Sequence, residues 1–225
     1  MVFLSIALVV RFLRLNNQKE TQELINFTIA LAATLDAIDT YTAFHSKNVA
    51  YYSYNIGKAL GLSKKECSHL YIGGLLHDIG KIGISEKILN KPSRLTEEEF
   101  NEIKKHPEMG YRILKHVTLF RKNSILDMVL YHHEKFDGTG YPRGLKGVKI
   151  PLVARIMAIA DAFDAMTSRR IYRDFHDLEY TLNQISEGKD GQFDPYIADV
   201  FLDLIKTEKI AIHGFVPEQE GSHYK

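Results

Sequence analysis

Apolar residues recur at three- and four-residue intervals along most of the chain: Leu24, Phe27, Leu31, Leu35 and Ile38, then Val49, Tyr52, Ile56 and Leu60. That spacing lines one face of an α-helix, and no stretch alternates convincingly with the two-residue period of a strand. Start signals agree with it. Ser63 with Glu66 and Thr96 with Glu99 read as capping boxes, while Ile150-Pro151 and Asp194-Pro195 place proline at a first helical position. The pattern predicts an all-α fold, with helices near residues 19–38, 44–61, 64–78, 97–104, 107–116, 121–134, 152–168, 177–187 and 195–207. No internal repeat or low-complexity segment interrupts them.

At 225 residues and 45% hydrophobic content the chain can bury one substantial core, and no linker divides it. We expect a main domain over residues 20–215, preceded by an apolar segment at 1–19 and followed by a flexible tail at 216–225. The formal net charge of +1 supplies no global field for polymeric nucleic acid or an anionic membrane, so any attraction for phosphate must be local. Cys67 is the only cysteine; it excludes an intramolecular disulfide and reads as a helix packing residue, compatible with a reducing cytosol.

The first fifteen residues are apolar except for Ser5, Arg11 and Arg14. The stretch from Val2 to Val10 is too short to span a bilayer, which takes about twenty residues. It reads as the inner end of a membrane helix, with Arg11, Arg14 and Lys19 on the cytoplasmic side, as an interfacial or dimer-forming helix, or as a signal-like segment without a small-residue cleavage site. The remainder is expected to be a cytoplasmic domain, membrane-associated if the first reading holds.

The chemistry is carried by seven metal-capable residues: His45, the pair His77-Asp78, His106, the pair His132-His133, and Asp161. A single histidine on a helix face is usually a packed or surface residue. Seven in this arrangement resemble a dinuclear hydrolase set. Two divalent cations sharing a carboxylate can ionise a water, hold a phosphate oxygen and neutralise transition-state charge. His77 and Asp78 sit between Leu75-Leu76 and Ile79, where an unpaired buried charge would be costly and a metal would remove the cost. Iron, manganese and zinc suit such mixed nitrogen and oxygen donors, whereas the imidazole content argues against magnesium and calcium. Asp164 shares a helix face with Asp161; Asp161 is the favoured ligand, with Asp164 able to orient a ligand imidazole instead. Lys81, in the turn with Gly80 and Gly83, reaches the same region or is a solvated loop lysine.

The segment HHEKFDGTGYPRGLKG, residues 132–147, has four glycines that permit close backbone approach to a ligand. Within it Tyr141 can stack on a base, and Arg143 or Lys146 can meet a phosphate. The SRRIYR run at 168–173 sets Arg170 and Arg173 just after the Asp161 helix, suiting bidentate phosphate or guanine recognition. The bland alternative for both is a solvated surface.

The ordered segments DTYTAFHSKNVA at 39–50, GGLLHDIGKIGI at 73–84, LNKPSRLTEEE at 89–99, KKHPEMG at 104–110, HHEKFDGTGYP at 132–142, PLVARIMAIADAFDAMTS at 151–168, RIYR at 170–173 and QFDP at 192–195 closely resemble the HD-GYP family of bacterial cyclic di-GMP phosphodiesterases, a branch of the HD phosphohydrolases. The likeness covers roughly residues 20–210. It implies an all-helical HD-domain bundle with a metal centre in its core, and hydrolysis of cyclic di-GMP to linear pGpG and, in some members, on to GMP.

Carried over position by position, the resemblance makes His77, Asp78, His106, His132, His133 and Asp161 metal ligands, with Asp78 bridging two metals. Lys81 would contact the scissile phosphate or protonate the leaving oxygen, Arg170 and Arg173 would contact substrate, and Gly140-Tyr141-Pro142 is the signature loop. Members with a third metal have a glutamate four residues before the position of His45; here that residue is Tyr41. We therefore expect two divalent ions, iron or manganese with zinc as an alternative, with His45 retained from the broader HD pattern. Expected partners are cyclic di-GMP, diguanylate cyclase domains through the signature loop, and a second copy of the chain through the N-terminal segment. The rival readings are a cyclic di-GMP receptor without turnover and a phosphohydrolase of another cyclic dinucleotide or nucleotide.

Overall fold

The computed structural model describes residues 23, 25–36, 44–121, 123–167 and 178–212, of which the side chain of 119 is excepted. The predicted N-terminal segment and C-terminal tail, Tyr41, Arg170 and Arg173 lie outside the described residues. Among the described residues there is no strand, only one isolated bridge between Lys189 and Phe193.

Residues 25–36 form α1, whose Thr28, Ala32 and Leu35 face inward. They are followed by α2 (His45–Ala59), α3 (Lys64–Leu76), a 3₁₀ turn (Ile79–Gly83), α4 (Glu86–Leu89) and α5 (Glu97–Ile103). Then come α6 (His106–Leu114), α7 (Thr118–Arg121), α8 (Ile125–Tyr131), α9 (Leu152–Thr167), α10 (Leu178–Glu187) and α11 (Pro195–Lys206). Both capping boxes form, at Ser63 with Glu66 and Thr96 with Glu99. Asp194 caps α11 through the amides of Tyr196 and Ile197, with Pro195 behind it. Pro151 stands one residue before α9 rather than inside it; its carbonyl accepts from the amides of Ala154 and Arg155.

The core is built around α9, which is buried along most of its length and packs on α2, α8, α10 and α11. Tyr52 of α2, Phe163 of α9 and Phe201 of α11 meet edge to face, with ring centroids 5.1, 6.4 and 4.9 Å apart. Edge-to-face contact aligns the positive ring edge with the negative ring face, adding to the burial term. The α2–α3 pair is unusually close. A Cβ on Gly74 would sit 2.4 Å from Ala50 Cα, and one on Gly73 would meet the Met128 side chain at 2.4 Å. The two glycines thus let α3 lie between α2 and α8, which carry other site histidines. Cys67 is buried in α3, as its packing assignment requires.

Two expected helices end differently. α3 stops at Leu76, and His77 and Asp78 form the link to the 3₁₀ turn. The reason is a close approach: a Cβ on Gly80 would lie 1.9 Å from the carbonyl oxygen of His106, so the chain turns tightly there against α6. The helix expected over 121–134 is instead α7 and α8, the latter ending at Tyr131 with His132 as its C-cap.

Candidate metal centre

Each metal-capable side chain is delivered by a helix end or a helix interior. His45 opens α2, His77 and Asp78 follow α3, His106 opens α6, His132 and His133 follow α8, and Asp161 lies within α9. The structure brings all seven together in two groups. His45, His77 and Asp161 form one; Asp78, His106, His132 and His133 form the other; within each group the donor atoms lie within 4.8 Å of one another. Asp78 faces both. Its Oδ1 is 3.1 Å from His106 Nε2 and 3.9 Å from His132 Nε2, while its Oδ2 is 3.4 Å from His77 Nε2 and 3.9 Å from His45 Nε2. In the first group His45 Nε2 is 3.3 Å and His77 Nε2 3.9 Å from Asp161 Oδ1.

The outer ring nitrogens are spoken for. His77 Nδ1 lies 2.8 Å from the Gly74 carbonyl, His106 Nδ1 2.8 Å from that of Ile103, and His132 Nδ1 3.0 Å from that of Val129. His45 Nδ1 is 2.7 Å from the wholly buried Asp164 carboxylate. A carbonyl or carboxylate can only accept, so each of these Nδ1 atoms carries a proton; Nε2 of His77, His106 and His132 then presents a lone pair to the centre, while His45 Nε2 donates to Asp161 until a metal displaces its proton. With that tautomer the Nε2 atoms of His106 and His132, 3.2 Å apart, oppose lone pair to lone pair. His77 Nε2 is buried without a hydrogen-bond partner among the described residues. A cation relieves both conflicts, so the residues present fit a bound metal.

Electrostatics point the same way. Burial pushes the Asp78 carboxyl up, but the Lys81 charge, then His77 and His106, hold it well below the usual carboxylate range. Burial likewise opposes ionisation of Asp161, and the hydrogen bond from His45 and the nearby imidazoles overcome it. His45 is disfavoured as a cation by burial, yet Asp161 and Asp164 raise it to about 10. Burial, together with neighbouring His133, keeps His132 far below its ordinary value, and burial with the nearby His106 brings His133 down to about 3. Two ionised carboxylates stand beside the neutral imidazoles of His132 and His133, while His45 holds a proton that an entering metal would displace.

Lys81 Nζ stands 2.8 Å from Asp78 Oδ2, placing the ammonium at the edge of the centre. Tyr141 stacks on His133, with centroids 4.8 Å apart and planes 29° apart, so one ring face is already taken. The loop carrying it is anchored by Glu134, a residue whose role the sequence reading missed. Its buried carboxylate accepts from the amides of Arg143 at 2.7 Å and Leu145 at 2.9 Å. Gly140 is required there, since a Cβ would meet the Lys135 amide nitrogen at 2.2 Å; the Tyr141-Pro142 bond that follows is cis. Arg143 pairs with Glu108 at 3.0 Å, and Lys146 is exposed. The signal for Glu134 was its position directly after a histidine pair and before a glycine-rich loop with unpaired amides.

A family model described as HD domain matches residues 16–197. A cyclic di-GMP phosphodiesterase of Thermotoga maritima is 40% identical over 190 residues, covering 82% of this chain and 50% of its own length. The cyclic di-GMP phosphodiesterase response regulator RpfG of Xanthomonas campestris is 36% identical, covering 84% of this chain and 50% of itself. A 3′3′-cGAMP-specific phosphodiesterase of Vibrio cholerae is 37% identical, covering 80% and 42%. The chain belongs to the HD domain family and, within it, to the HD-GYP branch. It spans half or less of the length of these relatives.

Among solved structures the fold resembles the V. cholerae cyclic GMP-AMP phosphodiesterase V-cGAP3, with a TM-score of 0.65 at 21% identity over 81% of this chain and 49% of that one. It also resembles the Listeria monocytogenes PgpH HD domain in complex with cyclic-di-AMP, at a TM-score of 0.54 and 20% identity over 88% and 99%. The architecture is therefore an HD-domain helical bundle with a histidine and aspartate cluster able to bind metal in its core. No helix among the described residues is long and apolar enough to cross a membrane.

Proposed function

We propose that this chain is the catalytic part of a metal-dependent phosphodiesterase that hydrolyses cyclic di-GMP to linear pGpG. One observation carries the reading: Asp78 turns one carboxylate oxygen to each of two buried donor groups that draw on five helices and their ends. In this reading His45, His77 and Asp161 hold one divalent ion, and His106, His132 and His133 hold the other, with Asp78 shared. Iron or manganese suits the donors best, and zinc is the alternative. When bound, the ions supply a nucleophile at neutral pH and positive charge for the phosphate oxygens.

The chain's own residues do the rest. Asp164 and the main-chain carbonyls hold the imidazoles with Nε2 inward. Lys81 is held over the centre by Asp78 and is placed to meet the scissile phosphate, donating a proton to the 3′ oxygen as the P–O bond breaks and water oxygen bonds to phosphorus. Arg170 and Arg173 are assigned to substrate phosphate or guanine, and Tyr141, Gly140 and Pro142 to the wall of the substrate site. Docking of diguanylate cyclase domains at the signature loop, and pairing of two copies through the N-terminal segment, complete the proposal.

The relatives named for 3′3′-cGAMP favour a second reading in which the preferred substrate carries one adenine. Anaerobic reconstitution with iron, manganese or zinc separately tests both, following pGpG and GMP while counting bound metal. Turnover with about two ions per chain supports the dinuclear reading. Two bound ions without turnover of any cyclic dinucleotide would refute the activity and favour a receptor.

A further inference from the structure

We propose that Phe44 and Lys47, at the start of α2, form a purine-binding subsite beside the metal centre; this rests on the phosphodiesterase reading above. Phe44 has φ 69° and ψ 0°, in the left-handed region, yet the residue is 65% exposed. A residue bearing a Cβ is strained in that conformation, and here the core does not compensate by taking up the ring. Strained residues of this kind collect at ligand sites, where the conformation serves binding.

The position is close to the chemistry. The next residue is His45, whose Nε2 lies 3.3 Å from Asp161 Oδ1, and Asp161 keeps 19% of its side chain accessible. The ring therefore stands one residue from the ligand group through which the centre meets solvent. Lys47 Nζ lies 5.7 Å from the Phe44 ring centroid. The first turn of α2 is met by Asp36, whose carboxylate accepts from the Ser46 hydroxyl at 2.7 Å, so the positive charge offered to a phosphate here is that of the exposed Lys47. An exposed aromatic face with an ammonium beside it matches a purine nucleotide: the base stacks on Phe44 and the phosphate lies toward Lys47.

The test compares wild type with Phe44→Gly, which removes the ring and suits the backbone angle, and Phe44→Tyr, which keeps the stacking face. For cyclic di-GMP, Phe44→Gly should raise KM about tenfold, equivalent to about 1.4 kcal/mol, with a smaller change in kcat. Metal content should be intact and Tm no lower, and Phe44→Tyr should restore KM. A Phe44→Gly protein with wild-type KM overturns the proposal. A parallel titration of 5′-GMP into manganese-loaded proteins separates the two readings. If wild type turns over no cyclic dinucleotide, the activity fails by itself; the subsite then stands only if 5′-GMP binds wild type and binds Phe44→Gly about tenfold more weakly. Equal binding, or none to wild type, sinks it.

Discussion

Metal uptake by the His45 group should release a proton, and the amount is set by two buried carboxylates. In the metal-free protein His45 is raised to about 10 by Asp161 and Asp164 against the opposing effect of burial. At pH 7 it is therefore a cation, and a metal entering at Nε2 must displace that proton. Three pH units of competition, at about 1.36 kcal/mol each, weaken apparent binding there by about 4 kcal/mol. Affinity should rise about tenfold per pH unit from 7 toward 10 and level off above. The sign for folding is opposite. A group raised in the folded state stabilises it fully below the unfolded value of about 6.5. That contribution fades as pH climbs through the folded value of about 10, so the metal-free protein should lose Tm over this range while the metal-loaded protein does not. Asp78 and Asp161 are already ionised, and His132 and His133 already neutral, so none of these four adds a proton. Calorimetric titration of manganese at pH 8, in buffers of different ionisation enthalpy, counts the protons. His45→Gln should release one fewer than wild type. Equal counts in the two proteins would refute the reasoning.

Three further outcomes follow from the same geometry. Asp78→Asn removes the carboxylate that both donor groups share, so turnover should vanish and bound metal fall in both, with helical circular dichroism retained; an active, metal-replete variant contradicts the shared-ligand arrangement. Gly74→Val forces a side chain into the α2 backbone, where even a Cβ would lie 2.4 Å from Ala50 Cα, and should cost about 1–3 kcal/mol, lowering Tm by several degrees in a thermal melt. Glu134→Ala strips the carboxylate from two loop amides, and the amides of Arg143 and Leu145 should exchange hydrogen at least tenfold faster, as a loss of about 1.5–3 kcal/mol per charged bond implies; unchanged exchange would show that Glu134 does not anchor the loop.

Much was legible without coordinates because the physics involved is local. Capping boxes at Ser63 and Thr96 depend on residues three apart, and both form as their spacing predicts. The 3.6-residue apolar period supplied the helical class, since a face that must be buried has to repeat along the chain. The metal-capable residues could be picked out because imidazoles and carboxylates embedded in apolar runs need a compensating partner. Helix boundaries at the site were less legible. The stop after Leu76 reflects packing of the 3₁₀ turn against His106, a residue 26 positions beyond Gly80 in sequence.

The sequence by itself determined the helical class, the starts marked by the capping boxes at Ser63 and Thr96, and the inventory of donors. Only the tertiary structure decided how those donors divide. The split of seven residues into two groups, the two-sided use of Asp78 and the pairing of Asp164 with His45 all arise where α2, α3, α6, α8 and α9 converge. Gly74 and Gly80 make that convergence possible by letting backbones approach to distances that any Cβ would forbid. Glu134 belongs to the same class of facts, because a carboxylate becomes an anchor only when folding brings otherwise unpaired amides to it. Spacing along a chain specifies what one helix presents; which faces meet, and at what distance, is a property of the packed whole.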